Sequence, residues 1–247
     1  MLINLMQGDC LERMKEIESG SVDMILTDPP YGTTACKWDS IIPLEPMWEQ
    51  LKRIIKPNGA IVMTASQPFT TTLISSNMKM FKYCWVWEKT SASNPQHANF
   101  QPLKVHEEIL IFTSGGTAAG SKTPCLFNKQ MINGKPYKRG LVTSGGGVTS
   151  GGFKGAFVGS SDGKRNPRSV IKMSNPKGKG QLHPTQKPVA LMEYLIKTYT
   201  NETETVLDFT MGSGTTGCAA KNLNRSFIGI ELDETYFNIA KERIEKA

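Results

Sequence analysis

Short apolar runs, each stopped by Gly, Pro or Asp, recur along this chain and alternate with stretches of helical period. Residues 2–6 read as a strand ending at Gly8-Asp9, after which Leu11, Met14 and Ile17 fall on one helical face. Residues 22–27 form a second run, stopped by Pro29-Pro30, of the kind a parallel sheet buries on both faces. A polar loop follows at 32–40. A helix over 44–55 is then stopped by Lys56-Pro57-Asn58-Gly59, and Gly59 opens a strand at 60–63. A helix after Pro68 and strands at 83–87 and 108–112 come next. Trp85 and Trp87 share one side of their strand, where core packing is expected. Beyond residue 182 the same alternation returns: a helix over 189–199 with Leu191, Leu195 and Ile196 inward, a strand at 205–209, and a strand at 226–230. A terminal helix from Glu234 sets Tyr236, Ile239 and Ile244 on its core face. Strand and helix in turn with short connections predict an α/β fold with a doubly wound, mostly parallel sheet.

The pattern breaks between residues 113 and 182. That segment is poor in apolar residues and carries Gly145-Gly146-Gly147 and Gly151-Gly152. The expected division is therefore 1–112, a basic Gly-rich insert at 113–182, and 183–247. At 247 residues the chain is long enough to bury a sizeable core as one large domain or one domain with an insert. Net charge is +7 and the isoelectric point about 9.1. The insert holds twelve Lys or Arg against Asp162 alone, so its surplus exceeds that of the whole chain and the remainder is acidic. Tyr137, Phe153 and Phe157 interleave with this charge. Mobile basic loops that grip a nucleic acid are one reading, with Lys138, Arg139, Lys164, Arg165 and Arg168 as the contacts. A basic disordered linker is the other.

Two stretches carry candidate chemistry. Asp28-Pro29-Pro30-Tyr31 stands at the carboxyl end of a strand, where open α/β sheets bind ligands. The prolines fix φ and remove two N–H donors, leaving a rigid edge with a carboxylate, free carbonyls and an aromatic face. Such an edge suits a planar ring bearing an amino group; a strand ending in a plain Pro-Pro turn is the alternative. The second stretch runs from strand 205–209 through Thr210-Met211-Gly212-Ser213-Gly214-Thr215-Thr216-Gly217 into a helix. Strand, glycine turn and helix bring backbone N–H groups close to a ligand. No Lys-Ser/Thr follows the last glycine, so this is not a P-loop. Glu231, at the end of the next strand, suits a ribose diol. Five widely spaced cysteines without Cys-x-x-Cys indicate neither a disulfide framework nor a zinc site, and no metal is expected. With no signal peptide and no run of membrane-spanning length, the expected location is cytoplasmic, without membrane contact.

In this order the motifs resemble the S-adenosylmethionine-dependent DNA amino-methyltransferases, and among them the permuted β class, in which Asp-Pro-Pro-Tyr precedes the glycine turn. Gly8-Asp9-Cys10-Leu11, His106-Glu107-Glu108-Ile109 and His183-Pro184-Thr185-Gln186-Lys187-Pro188 stand where that family has similar stretches. The resemblance covers most of the chain outside the middle. It implies a Rossmann-like methyltransferase sheet, with the insert as target-recognition region. It implies Asp28, Pro29, Pro30 and Tyr31 as the catalytic edge. For the S-adenosylmethionine site it implies Asp9, Asp28, Thr185, Lys187, Asp208, Phe209, Gly212, Ser213, Gly214, Thr215 and Glu231. Asp9 would meet the adenine, with a helix N-cap as the equal alternative. Thr185 and Lys187 would lie at the methionine end, Lys187 on the carboxylate.

The implied reaction is site-specific methylation of adenine N6 in DNA, by direct displacement on a base turned out of the duplex. N4 of cytosine, an RNA substrate, and a non-catalytic nucleic-acid-binding module with this fold stay open. A C5-cytosine enzyme would need its Pro-Cys nucleophile at a strand end, whereas Pro124-Cys125 lies in the insert. DNA is the expected partner. A homodimer and a cognate restriction enzyme are partners the resemblance allows without fixing.

Overall fold

The computed structural model describes residues 1–34, 36, 39–145, 154–175 and 186–247, with backbone alone for 139–145 and 154–158. In chain order the strands are β1 (Ile3–Gln7), β2 (Val22–Thr27), β3 (Ile55–Ala65), β4 (Phe81–Lys89), β5 (His106–Phe112), β6 (Ile132–Asn133), β7 (Tyr137–Gly145), β8 (Lys154–Ser161), β9 (Lys164–Arg165), β10 (Val170–Met173), β11 (Thr205–Asp208) and β12 (Ser226–Glu231). The helices are α1 (Cys10–Arg13), α2 (Leu44–Ile54), α3 (Phe69–Ser76), α4 (Val189–Tyr199), α5 (Thr215–Asn222) and α6 (Glu234–Lys246).

Eight strands make one sheet in the order β1-β12-β11-β2-β3-β5-β4-β10. Every pairing is parallel except those of β5, which runs against both β3 and β4. The expected doubly wound, mostly parallel sheet is therefore present. Burial on both faces explains the near-continuous apolar runs in β2 and β3. One face packs Met24, Leu26, Trp85 and Trp87 against α4 and α5 through Leu195, Ile196 and Ala219. The other packs Ile25, Ile61, Met63 and Leu207 against α2 and α3 through Leu51, Ile54 and Leu73. Trp85 and Trp87 are core residues, as their period indicated.

Three local differences from the sequence reading have physical causes. Lys56-Pro57-Asn58-Gly59 does not end a helix and restart a strand. β3 already begins at Ile55 opposite Val22, and these four residues bulge out before Ala60 meets Met24. A Cβ at Gly59 would come within 2.6 Å of the Asp23 carbonyl, so the bulge needs glycine there. The helix expected after Asp9 is one α-turn followed by a 3₁₀ turn, Met14–Glu16. Tyr236 and Ile239 are only half-buried; Ala240 and Ile244 form the buried face of α6.

The segment expected as one insert divides. Residues 113–128 and the strand β10, which extends the main sheet beside β4, belong with the large unit. Lys129–Arg168 forms a compact unit of its own. Within it β7 and β8 pair antiparallel, as do β6 and β9. This described part is strand and turn, not loop. An antiparallel ladder satisfies its own backbone groups and needs little apolar surface, so a low apolar content did not preclude it.

Candidate functional site

The catalytic-edge and glycine-turn motifs lie at the carboxyl ends of neighbouring strands. β2 and β11 pair directly, Met24 with Val206 and Ile25 with Leu207, so Asp28 and Asp208 emerge side by side. Hydrogen bonds stitch the two strand ends together. Thr27 Oγ1 donates to Asp208 Oδ1 at 2.8 Å and lies 2.6 Å from Thr210 Oγ1, and the Thr210 hydroxyl donates to the Asp28 carbonyl at 3.2 Å. A cavity of about 1230 Å³ opens over both ends. Asp28, Pro29, Pro30, Tyr31, Lys187, Gly212, Ser213, Thr215 and Glu231 are among the residues on its wall.

Asp28 is held by three donors. Tyr31 Oη donates to Oδ1 at 2.7 Å, the Thr64 hydroxyl donates to the same oxygen, and Lys187 Nζ donates to Oδ2 at 2.5 Å. Lys187 is 7% exposed and also reaches Glu107 Oε2 at 3.4 Å, while Lys89 pairs with Glu107. Two carboxylates and two ammonium groups thus alternate in one balanced buried cluster. Burial opposes the Lys187 charge, but Asp28 and Glu107 beside it hold its pKa above the ordinary value. Burial likewise opposes the Glu107 charge, and Lys187 and Lys89 pull its pKa below the ordinary value. The ammonium of Lys187, expected on a cofactor carboxylate, is engaged here by Asp28 and Glu107.

The loop after Pro30 is organised by a residue that the motifs did not single out. Asp39, buried, takes the N–H groups of Tyr31 and Gly32 on Oδ1 and those of Thr33 and Thr34 on Oδ2, all between 2.7 and 2.9 Å. Burial works against its charge, but these donors outweigh it and lower the pKa. Tyr31 also stacks on Phe69, ring centroids 5.4 Å apart. One face of its ring is thus in contact with protein.

At the glycine turn each residue has its own task. Gly212 has φ +51° and its absent Cβ would meet nothing within 4 Å, so the turn leaves open space there. Glu231 Oε2 accepts from Gly212 N at 2.8 Å and Oε1 from Asp233 N at 2.9 Å. Gly214, with φ +79°, is off the cavity wall; a Cβ there would press on Ala240 at 3.0 Å. It is a helix-packing glycine. Ser213 and Thr215 are fixed from behind by Arg243 of α6, whose guanidinium donates to the Ser213 carbonyl, Ser213 Oγ and Thr215 Oγ1. Asp208 is buried, and desolvation pushes its pKa up to about 6. Phe209 is core, though it reaches the cavity wall. Asp9 is the N-cap of α1, accepting from Leu11 N and Glu12 N, and it lines the cavity as well. Thr185 lies outside the described residues. Tyr236, Asp39, Glu107 and Lys89 are cavity residues that were not anticipated. Cys125 is not on this wall, and burial pushes its thiol pKa up.

In the smaller unit Lys138, Lys164 and Arg168 are exposed. Arg165 is not a free contact. Its guanidinium lies over the Tyr137 ring, 4.6 Å from the centroid, and donates to Ser161 and to the Lys135 carbonyl. The side chains of Arg139 and Phe157, and all of Phe153, lie outside the described residues. Among the described residues no helix is long and apolar enough to cross a membrane, and no group of three or more His, Cys, Asp or Glu could hold a metal ion.

Comparison with known proteins agrees with this geometry. A family model for DNA methylases of the N6/N4 type matches residues 22–242. Type II methyltransferase M.BglII of Bacillus subtilis is 31% identical over 263 residues, covering 97% of this chain and 68% of that protein. Type II methyltransferase M.HpaI of Haemophilus parainfluenzae is 29% identical over 255 residues, 98% of this chain and 74% of that one. Among solved structures, M1.HpyAVI in complex with SAM superposes with a TM-score of 0.63 at 28% identity, over 98% of this chain and 99% of that one. The cytosine-N4-specific PvuII DNA methyltransferase, at 16% identity and a TM-score of 0.67 over 98% of this chain and 86% of that one, shares the fold. The chain belongs to the N6/N4 DNA methylase family.

Proposed function

We propose that this protein transfers a methyl group from S-adenosylmethionine to the N6 amino group of adenine in DNA, on a base turned out of the helix. The observation that carries the reading is the state of Asp28. A carboxylate offers about four acceptor positions. Three are filled by Tyr31, Thr64 and Lys187, which fix its orientation, and one is left for an incoming N–H. The Pro29 carbonyl, on the same rigid edge, accepts the second amino hydrogen. Two acceptors draw the nitrogen out of conjugation, and the Asp28 charge favours the cation that forms there.

S-adenosylmethionine supplies a methyl on a sulfonium, an electrophile that requires no covalent enzyme adduct. Its place is the open wall at Gly212, beside Glu231 and next to Asp28 through the Thr210 stitch. Glu231, already accepting from Gly212 and Asp233, keeps lone pairs for a ribose diol. A base inside a duplex cannot reach this recess, so it must be turned out or already single-stranded. The exposed Lys138, Lys164 and Arg168 of the smaller unit are assigned to the DNA backbone.

Asp28→Ala tests the reading in single-turnover transfer with saturating cofactor. The rate should fall about 10²–10³-fold, as when one preorganised electrostatic partner is removed, with cofactor affinity nearly unchanged. A rate near the parent's would reduce the tetrapeptide to a turn. Nucleoside mass spectrometry of the product DNA separates N6-methyladenine from N4-methylcytosine, the second reading, which the same acceptor edge also serves.

A further inference from the structure

The connection between β4 and β5, residues 90–105, takes no part in the chemistry above, yet it is built with care. Its base is locked: Lys89 N donates to the Val105 carbonyl at 2.7 Å, Ser93 N to the Lys104 carbonyl at 3.0 Å, and Asn94 Oδ1 accepts from Lys104 N at 2.5 Å. Its tip is a 3₁₀ turn, Pro95–His97, and the His97 carbonyl accepts from the N–H groups of Phe100 and Gln101 at 2.9 and 3.1 Å. On this fixed tip Phe100 is 87% exposed, more than any other large apolar side chain among the described residues. Leu103 is also exposed.

Position and charge say what meets this ring. Ser93 and Lys104, at the root of the loop, line the same cavity as Asp28 and Tyr31, and the Lys104 ammonium is bonded to Ser66 on its wall. The loop therefore rises from the rim of the amino-group site. It contains no Asp or Glu between Lys89 and Glu107, so nothing in it repels phosphate. We infer that residues 93–104 form a DNA wedge, in which Phe100 enters the base stack beside the target and stacks where the departing base gave up its neighbours. Apolar side chains pushed between base steps unstack them, and an aromatic face replaces part of the lost stacking. A rigid tip suits this task, because a backbone already ordered loses little freedom on insertion. The inference rests on the proposed turning-out of the target base in DNA and not on which base is methylated.

The test uses Phe100→Ala and Phe100→Trp in the full chain, with three DNAs carrying the sequence that modified-base sequencing identifies. These are the duplex, the same duplex with an abasic position opposite the target, and the single strand. Transfer of labelled methyl at subsaturating DNA and saturating S-adenosylmethionine is the readout; it counts methyl groups on either base. Phe100→Ala should slow transfer to the intact duplex by about tenfold or more, and change transfer to whichever pre-opened DNAs are substrates by no more than about twofold. Phe100→Trp should restore the duplex rate. A duplex rate unchanged in Phe100→Ala, or an equal fall on duplex and pre-opened DNA, overturns the wedge.

Discussion

Replacing Asp39 by Ala should damage both stability and catalysis, because its carboxylate is spent on the backbone of the loop after Pro30. One carboxylate takes four backbone N–H groups in sequence, from Tyr31 to Thr34. Hydrogen bonds to a charged acceptor contribute about 1.5–3 kcal/mol each when shielded. Gly32, Thr33 and Thr34 are exposed, so water replaces part of what is removed. A discount to about 0.5–1 kcal/mol per bond puts the sum at about 2–4 kcal/mol. For a chain of this size, at about 2 °C per kcal/mol, that is a fall in Tm of about 4–8 °C. The Tyr31 N–H is one of the four, so the ring and its hydroxyl on Asp28 lose their register, and single-turnover transfer should slow more than cofactor affinity weakens. Asp39→Asn keeps one acceptor and turns an amide N–H₂ toward two of the donors; it should lie between parent and Ala. The pH dependence has a definite sign. The folded pKa of Asp39 lies below 3.8, so its contribution is present above that value and lost as pH falls through the folded one. Calorimetry of parent and Asp39→Ala should give a Tm gap that is full at neutral pH and narrows as pH falls below 3.8. A gap under about 1 °C at pH 7, with parental transfer, would refute the loop-clamping role.

Glu231→Ala should weaken S-adenosylmethionine binding about tenfold or more, because the Gly212 and Asp233 N–H groups lose their acceptor along with any ribose bond; unchanged affinity in titration calorimetry would remove Glu231 from the site. Asp208 has a folded pKa of about 6 against 3.8 unfolded, so its contribution is full below 3.8 and lost as pH rises through 6. Relative to Asp208→Asn, the parent should therefore gain about 1 kcal/mol between pH 7 and 5 in urea titrations, and parallel pH profiles would contradict the assignment. Lys138→Glu with Arg168→Glu should flatten the salt slope of DNA affinity by about 0.9 for each phosphate no longer neutralised, whereas Arg165→Ala should lower the Tm by loosening Tyr137 and Ser161. An unaltered slope in the charge-reversed pair would make the smaller unit a bystander in DNA binding.

The strands of the main sheet were legible because each is a short apolar run with a hard stop, and the glycine turn because glycine is the residue most at ease at the positive φ of Gly212 and Gly214 and leaves room for Ala240 beside Gly214. What escaped the sequence has no local signature. The clamp at Asp39 works on backbone N–H groups, which every residue but proline has. The cluster of Asp28, Lys89, Glu107 and Lys187 draws on four segments, and its pairing exists only once β2, β4, β5 and the residues before α4 are side by side. Lys187 could be read as a cofactor contact for that reason. Tyr236 satisfies the helical period of α6 and still faces the cavity, because periodicity tells which side is inward but not whether that side meets core or a hollow. The hairpin of β7 and β8 was obscured by glycine and charge, since a ladder held by its own backbone asks little of its side chains.

The threonine stitch between β2 and β11 has a thermodynamic consequence. Thr27 and Thr210 sit between the acidic ends of two strands, so the wall proposed for the methyl donor and the edge proposed for the amino group are parts of one bonded piece. No flexible segment separates them that could absorb a shift on one side. Any change in affinity that one ligand causes at the other site must be returned by the same factor in the opposite direction. Order of addition then becomes a property of concentrations and rates. The free energy of the ternary assembly is the same by either route.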